Sequence, residues 1–362
     1  MPGEYTYLPI ERIHFGSDSI AKLGDELQRL RCQNPFVITG QTIAQKTTLL
    51  KTIAEASAMR LAGVYSGIRQ HTPESDVAGA TKAAEEAKAD SLVSLGGGSP
   101  IDATKIIVKE LSENFQRTPL PHIAVPTTLS AAEFSHSAGI TDERLNRKTG
   151  LRDTRMAPRI IFLDPKLTIP TPAWLWASTG IRSLDHAIEA FCSPKHQPYV
   201  DTLALEAIRL LFRHLKKSSL NPADTKSREA CQISAWMSYA GAASVGTGLS
   251  HALGRAIGAT WKIPHGITSC LTLAEVMRVQ AKRIPEKLVA IATAEGKNVQ
   301  GLSREHAALS AADGVAELVQ ELGLSKRLRD FRIEKIDLPK IAGELGSPEL
   351  KGEGLSVLER IW

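Results

Sequence analysis

The sequence predicts a two-domain protein in which an α/β domain precedes an all-helical domain. With 362 residues, the chain exceeds the usual size of a single hydrophobic core. In the first half, short apolar runs alternate with helix-like segments, which is typical of β-α units and a mostly parallel sheet. After about Pro170, apolar residues recur at helical spacing over long segments. We therefore expect an α/β domain at 1–165 and a helical domain at 170–362.

The elements of the first domain follow from its apolar runs. Strands are predicted, in order, at "NPFVITG", "LAGVYSG", "DSLVSLGGG", "PHIAVPTT" and "RIIFLD". Helices are predicted at "TIAQKTTLLKTIAEASAM" and "SDVAGATKAAEEAKA", between the first three strands. The proline-rich "DPKLTIPTP" is the predicted linker, and beyond it no strand-like run occurs. Helices of the second domain are predicted at "PAWLWASTGIRSLDHAIEAFCS", "YVDTLALEAIRLLFRHLKK" and "REACQISAWMSYAGAAS".

The composition limits the classes of partner. The formal net charge is only +5, and lysines and arginines are interleaved with acids, which argues against nucleic acid as the partner. No apolar run is long enough for a membrane span, and the first residues lack the pattern of a signal peptide. The four cysteines form no C-x-x-C pair, as expected of free thiols in a reducing compartment. We expect a cytoplasmic protein whose mildly basic surface suits an anionic small molecule.

The stretch "SLVSLGGGSPIDATKIIV" predicts an anion-binding turn. A strand runs into Gly96, Gly97 and Gly98, and a helix follows, with Ser99 as the expected N-cap and Asp102 in capping-box register. Glycines before a helix N-terminus let backbone amides approach an anion, and a dinucleotide pyrophosphate is the usual ligand. The pattern is neither G-x-G-x-x-G nor a Walker loop, so a tight turn without a ligand is the alternative.

Two further groups of polar residues are candidates for chemistry. Thr127 and Thr128 follow a predicted strand at its carboxyl end, where ligands of such sheets bind, and His136 lies in the loop beyond. Three of the histidines in the helical half are candidates: His186, His251 and His265. A continuous helix would separate the last two by about 21 Å, too far to share a metal. Because Pro264 makes a continuous helix unfavourable, His265 can return toward His251.

Four ordered motifs carry a family resemblance. "GGGSPIDATK", "VPTTLSAAEF", "TGIRSLDHAIEA" and "SHALGRAIGATWKIPHG" resemble the iron-containing (group III) alcohol dehydrogenases over nearly the whole chain. "HTPESDVAGATKAAEEAKADSLVSLGGGS" is similar to the maleylacetate reductase branch. The resemblance implies an α/β dinucleotide-binding domain and an all-α C-terminal domain, the fold shared with dehydroquinate synthase-like enzymes. It also implies an NAD(P)-dependent oxidoreductase that forms a homodimer.

The resemblance assigns the cofactor and metal positions. The residues matching positions that bind NADH or NADPH are Gly97, Gly98, Ser99, Asp102, Thr127, Thr128 and Lys148. Gly40 stands where NAD-specific members often have Asp, which leaves NADPH open. His186, His251 and His265 match the three histidines that hold iron or zinc in metal-dependent members. The Asp of that ligand set is replaced by Arg182, which cannot ligate a cation, and a further family histidine is replaced by Arg255.

These substitutions favour a metal-independent reductase of a conjugated carbonyl compound or keto acid, as the resemblance to maleylacetate reductases implies. Arg182 would stabilise developing negative charge or bind a substrate carboxylate, and His136, His251 or His265 would supply the proton. One alternative is a metal-dependent alcohol dehydrogenase, in which Asp185 replaces the missing ligand. Others are a non-redox lyase or cyclase on the same fold, and a binding protein without activity.

Overall fold

The computed structural model of the protein describes residues 4–114, 118–144 and 147–362. The side chains of Asn114, Arg147, Lys148 and Ala259 also lie outside the described part. The chain divides into two compact units: Tyr5–Thr171, and Pro172–Trp362 together with Glu4. The first unit is α/β and the second is helical, so the expected fold class is confirmed.

The first unit mixes strands and helices. Its elements are β1 (Arg12–Phe15), α1 (Leu23–Arg29), β2 (Pro35–Thr39), α2 (Gln41–Lys46), α3 (Leu49–Ala56), β3 (Gly63–Tyr65), α4 (Glu74–Glu86), β4 (Ser91–Gly96), α5 (Gly98–Asn114), β5 (His122–Pro126), β6 (Ser137–Asp142), β7 (Arg147–Arg152) and β8 (Ile160–Leu163). The single helix expected at "TIAQKTTLLKTIAEASAM" is two helices. Thr47 interrupts it with extended backbone, and its hydroxyl donates to the carbonyl of Ile43 at 2.7 Å.

Six strands form one parallel sheet in the order β1-β8-β5-β4-β2-β3. The central strands are buried on both faces because helices cover each side. Alternate residues of β2 enter different clusters: Phe36 and Ile38 pack with residues of α4 and α5, whereas Val37 packs with residues of α1 and α3. The sheet is thus packed on both faces, and this core supports the loops at the ends of its strands.

The antiparallel hairpin of β6 and β7 was not predicted from the sequence. Its first strand, "SAGITD", offers only Ala138 and Ile140 as alternate apolar residues, which is too short a pattern to indicate a strand. Ala138 is buried and Ile140 partly buried against the cluster that covers α5. The hairpin therefore owes its place to packing on α5 rather than to local pattern.

The second unit contains helices and no β-strand among its described residues. The helices are α6 (Ala173–Cys192), α7 (Pro198–Leu220), α8 (Thr225–Val245), α9 (Leu249–Trp261), α10 (His265–Gln280), α11 (Pro285–Ala294), α12 (Arg304–Glu321), α13 (Leu338–Gly343) and α14 (Pro348–Ile361). The chain breaks between α9 and α10 as expected, with Lys262 in the left-handed region and Pro264 as the N-cap of α10. No helix of the described chain is long and apolar enough to cross a membrane.

The start of α10 lies directly against α6. A Cβ atom on Gly266 would lie 2.7 Å from the backbone carbonyl carbon and oxygen of Ser178, a distance that side chains essentially never adopt. Because the obstacle is backbone, it cannot move aside as a flexible side chain can. Gly266 therefore fixes the approach of α10 to the helix that carries Arg182, Asp185 and His186.

We expect Gly266→Ala to destabilise the fold by about 1–3 kcal/mol, because the added methyl group must push α10 away from α6. Denaturant unfolding measures the change. Gly343→Ala is the matched control, since Gly343 also lies in a helix and a Cβ there meets nothing within 4 Å. Equal stability of the two variants would contradict the close approach.

Candidate active site

The turn after β4 lies where ligands bind in parallel sheets of this kind. The chain passes from β2 to β3 on one side of β2 and then returns to β4 on the other side. The carboxyl ends of β2 and β4 therefore form a switch point, the usual ligand site of open α/β sheets. Gly96 ends β4 with a φ of 143°, and α5 begins at Gly98, one residue before the expected cap Ser99. The first amides of this 17-residue helix are thus presented at the switch point.

The glycines of this turn pack closely against the loop that follows β5. A Cβ atom would lie 3.1 Å from Cγ2 of Thr128 if placed on Gly97, and 3.3 Å from Oγ of Ser130 if placed on Gly98. A side chain at either position would therefore force Thr128 or Ser130 to shift by a few tenths of an ångström. Bare amides, a helix N-terminus and two neighbouring hydroxyls are a donor set that fits the pyrophosphate of NAD(P).

The other predicted cofactor residues have internal partners. The Thr127 amide donates to the carbonyl of Gly96 at 2.9 Å, which joins the ends of β5 and β4. The Ser99 hydroxyl accepts the backbone N–H of His71 at 3.1 Å rather than capping α5. Lys148 pairs with Thr141 in the hairpin, and its side chain lies outside the described part.

Asp102 serves the packing of this unit. Its carboxylate lies 3.3 Å from the ammonium of Lys105, which is fully buried, and it accepts the backbone N–H of Gly139 at 3.3 Å. The ion pair and the amide bond tie α5 to the hairpin. The acid that the resemblance assigns to the cofactor is thus engaged with protein groups.

His136, the candidate catalytic residue of this unit, is engaged with the hairpin. Its Nε2 accepts a hydrogen bond from Nε of Arg152 at 2.6 Å. Partial burial, Arg152 and Lys105 lower the pKa of His136 below its ordinary value. Since an acceptor nitrogen beside an arginine holds no transferable proton, this geometry disfavours His136 as a proton donor.

One face of α6 carries the polar residues of the helical unit. Arg182, Asp185, His186 and Glu189 follow the spacing i, i+3, i+4 and i+7, so they lie on the same side of the helix. The last three are buried, and the Arg182 side chain is 13% exposed. Charged groups at such depth require internal partners.

Asp185 is the meeting point of these partners. Its Oδ2 accepts the hydroxyls of Ser269 at 2.6 Å and Ser250 at 3.0 Å. Nη1 of Arg182 lies 3.6 Å from the same oxygen and donates to Oγ of Ser269 at 3.1 Å. Arg182 is therefore held at one nitrogen by α6 and α10. No hydrogen bond from its other two guanidinium nitrogens is found within the described chain.

Glu189 joins α6 to the N-terminus of α9. Its Oε2 accepts the backbone N–H of Gly248 and its Oε1 that of Ser250, both at 2.6 Å. The same carboxylate lies 2.7 Å from Nδ1 of His251, while Asp185 Oδ2 lies 3.3 Å from that nitrogen. The side chain thus caps α9 and holds the His251 ring by an ion-pair contact.

The charges of this cluster shift the pKa values of its three titratable residues His251, Asp185 and His186. Burial and Arg182 oppose a charged His251 ring, but the carboxylates of Asp185 and Glu189 outweigh them, so the pKa of His251 lies above its ordinary value. Burial opposes ionisation of Asp185, yet His251, Arg182 and the Ser269 hydroxyl hold its pKa below the ordinary value. Burial, with His251 and Arg182, keeps the pKa of His186 well below its ordinary value.

The remaining candidates flank the cluster. The rings of His186 and His251 are 4.8 Å apart between centroids, and His186 also meets Tyr239 edge-on. His265 is the first residue of α10, with its Nδ1 3.4 Å from the Cβ position of Gly258. Arg255 lies on α9 and is exposed. The structure thus brings His186 and His251 together with Arg182 on packed helices.

The contacts within this cluster are those of ion pairs rather than of ligands around a tetrahedral divalent metal. Within the described chain, only Asp185, Glu189 and His251 offer three donor atoms within 4.8 Å of one another. Ligands about 2.0–2.2 Å from a tetrahedral ion lie about 3.3 Å or more apart. The 2.7 Å contact between His251 and Glu189 is shorter and matches direct ion pairing. The carboxylates already accept hydroxyl and amide protons, and Arg182 repels a cation.

Sequence reasoning considered Asp185 only as a replacement metal ligand and missed Glu189. Both were visible as acids at helical spacing from Arg182 inside an otherwise apolar segment, which indicates a buried polar face. Their partners Ser250 and Ser269 lie 65 and 84 positions from Asp185, so no local pattern could identify them.

Comparison with known proteins decides the family. Residues 10–165 match the iron-containing alcohol dehydrogenase family, and residues 176–345 match the C-terminal domain of the Fe-containing alcohol dehydrogenase family. The chain belongs to the iron-containing alcohol dehydrogenase family. The resemblance found in the sequence is thereby confirmed.

The relatives include reductases of different substrates. The chain is 30% identical to lactaldehyde reductase of Escherichia coli K12 over 347 residues, which cover 92% of this chain and 90% of the relative. It is 28% identical to maleylacetate reductase of Pseudomonas aeruginosa over 330 residues, or 91% and 87% of the two chains. The solved maleylacetate reductase of Rhizobium sp. strain MTP-10005 shares 26% identity at a TM-score of 0.85, covering 100% of this chain and 98% of that one.

Family membership establishes the class of reaction. The chain is an NAD(P)-dependent oxidoreductase of the iron-containing alcohol dehydrogenase type. The lyase, cyclase and binding-protein alternatives are thereby set aside. At this level of identity the relatives do not fix the substrate.

We expect Gly97→Ala to weaken NADH binding, because a methyl group must displace Thr128 or the turn itself. An overpacking cost of about 1–3 kcal/mol corresponds to an increase in Kd of roughly fivefold to more than a hundredfold. A fluorescence titration with NADH measures it. Gly150→Ala is the control, since a Cβ there meets nothing within 4 Å. An unchanged Kd for Gly97→Ala would remove the turn from the cofactor site.

Proposed function

We propose that this protein is a metal-independent, NAD(P)H-dependent reductase of a conjugated carbonyl compound or keto acid that carries a carboxylate. The observation that carries the proposal is Arg182, a largely buried guanidinium that stands where metal-dependent members have an aspartate and that pairs with Asp185. A fixed positive charge thus occupies the part of the site where those members use a cation.

Arg182 is arranged to bind an anion. Contacts with Ser269 and Asp185 anchor Nη1, and the planar guanidinium keeps its remaining N–H donors in a fixed fork. Low exposure strengthens the attraction because little water competes. Such a group can bind a carboxylate through two nitrogens or stabilise an oxygen that gains negative charge.

The reaction needs a hydride, an electrophilic carbon and a proton. Bound NAD(P)H supplies the hydride. The turn at Gly97 and Gly98 would hold its pyrophosphate, with the Thr128 hydroxyl beside it. In the helical unit, Arg182 stabilises the negative charge that develops on the carbonyl oxygen, and a histidine of the cluster protonates it. Gly40 has no carboxylate that would repel a ribose phosphate, which leaves room for NADPH.

The relatives support this substrate class. Maleylacetate reductases recur among them, and maleylacetate is a compound with carboxylate and carbonyl groups. Maleylacetate is therefore the first substrate to test. Lactaldehyde, the substrate named for another relative, lacks a carboxylate and serves as the contrasting probe.

A second candidate is a metal-dependent alcohol dehydrogenase with a rearranged ligand set. The proximity of donor atoms from Asp185, Glu189 and His251 favours it. The ion pairs that already use these atoms argue against it. In that case activity would require added metal, and Arg182 would be dispensable.

We expect Arg182→Ala to lower kcat/KM for maleylacetate by about a hundredfold or more, because removal of one group that stabilises developing negative charge costs about 10²–10³-fold in rate. NADH and NADPH oxidation by chelator-treated protein measures the effect. Arg182→Lys keeps the charge without the fork, so it recovers part of the rate.

Arg213→Ala is the control, because Arg213 is exposed on α7. Far-ultraviolet circular dichroism verifies that each variant is folded. An Arg182→Ala protein with unchanged kcat and KM would refute the proposed role of the guanidinium. Reduction of lactaldehyde in preference to maleylacetate would refute the proposed substrate class.

A further inference from the structure

We propose that His251 gives the proton to the substrate through Nε2, and that Glu189 is the residue that positions this ring. The inference rests on the proposed reductase function and selects one of three histidines that the sequence left open. It also assigns a role to a glutamate that is not among the residues predicted to bind cofactor, metal or substrate.

Two histidines are disfavoured by their surroundings. His136 uses Nε2 to accept the Nε–H of Arg152 at 2.6 Å, so that nitrogen carries no proton to give. His265 is the first residue of the 16-residue helix α10, where the positive end of the helix dipole opposes a charged ring. Neither position stabilises an imidazolium as a proton donor.

His251 also lies in the first turn of a helix. There, however, the carboxylate of Glu189 makes the electrostatic potential at the helix N-terminus negative. The carboxylate accepts the amides of Gly248 and Ser250, so its negative charge lies at the N-terminus of α9. It also lies 2.7 Å from Nδ1 of His251, with Asp185 3.3 Å from the same nitrogen. Two carboxylates on one side of the ring favour a proton on Nδ1.

The opposite ring nitrogen lacks a partner. Neither ring nitrogen of His251 forms a hydrogen bond within the described chain, but Nδ1 has the carboxylates of Glu189 and Asp185 at 2.7 and 3.3 Å, whereas the buried Nε2 has no ion-pair contact there. A buried donor without a partner costs free energy, so such an atom is expected to meet a group supplied by a ligand. A substrate oxygen is the ligand group that the proposed reaction brings to this site.

The step balances on these atoms. Hydride transfer forms a C–H bond at the electrophilic carbon, and the π electron pair moves onto the conjugated carbonyl oxygen. The N–H bond at Nε2 then breaks and an O–H bond forms. The ring becomes neutral with its remaining proton on Nδ1, beside Glu189, and solvent restores the second proton. Glu189 touches only His251 and backbone amides in this scheme, so it acts through the ring.

The test replaces Glu189 by Gln, which has nearly the same shape but no charge. We expect kcat for maleylacetate to fall by about tenfold or more, since general acid catalysis contributes about 10²–10⁴-fold. KM should change little, because Glu189 acts through the His251 ring and does not touch the substrate. Glu359→Gln, an exposed residue of α14, is the matched control. A Glu189 that only caps α9 would reduce thermal stability and leave kcat per folded molecule unchanged, which would overturn the proposal.

A second readout needs no substrate. Nitrogen-15 spectra of histidine-labelled protein report which ring nitrogen holds the proton when the ring is neutral, and the His251→Asn spectrum assigns the signal. We expect Nδ1–H in the wild type and a shift toward Nε2–H in Glu189→Gln. The same tautomer in both would overturn positioning by Glu189. The wild type could also show the expected tautomer and yet reduce neither maleylacetate nor lactaldehyde. That result would refute the proposed function and the role of His251 as the acid, but positioning of the ring by Glu189 would stand.

Discussion

The ion pair between Arg182 and Asp185 is the constraint on which the rest of the helical unit's site depends. A buried guanidinium is tolerated only with an internal counter-charge, and Asp185 supplies it from the next turn of α6. The two serines that contact this carboxylate lie on α9 and α10, so the pair also fixes how three helices meet. Removing either charge would leave the other buried and uncompensated.

The same constraint explains the protonation of the cluster. The carboxylates of Asp185 and Glu189 lie against Arg182 and His251, so opposite charges are matched within the buried set, and this raises the pKa of His251 and lowers that of Asp185. A divalent cation would upset this balance and would compete with hydrogen bonds that are already formed. The guanidinium of Arg182 therefore goes together with a buried acid one turn away, Asp185.

The fold was largely predictable because its signals are local. Short apolar runs marked five of the six strands of the parallel sheet, and Pro264 marked the break before His265; β1 was missed, because its four residues hold only two apolar ones. The hairpin was missed because its packing on α5 decides it, and "TIAQKTTLLKTIAEASAM" was not split because Thr47 ends α2 through a side-chain bond. For the site, the family motifs indicated Arg182 and His251. Glu189 was visible as an acid at helical spacing from Arg182, but its partners Gly248 and Ser250 lie about sixty positions away, so the sequence did not indicate its role.

The most direct test of a metal-free site is a calorimetric titration of chelator-stripped protein with Zn²⁺, and with Fe²⁺ under anaerobic conditions, followed by an assay of the stripped protein for NADH-dependent reduction. The account predicts no saturable binding of one equivalent of metal and full activity without metal. Binding of one equivalent that is lost in Asp185→Ala, together with activity that appears only after metal is added, would contradict it.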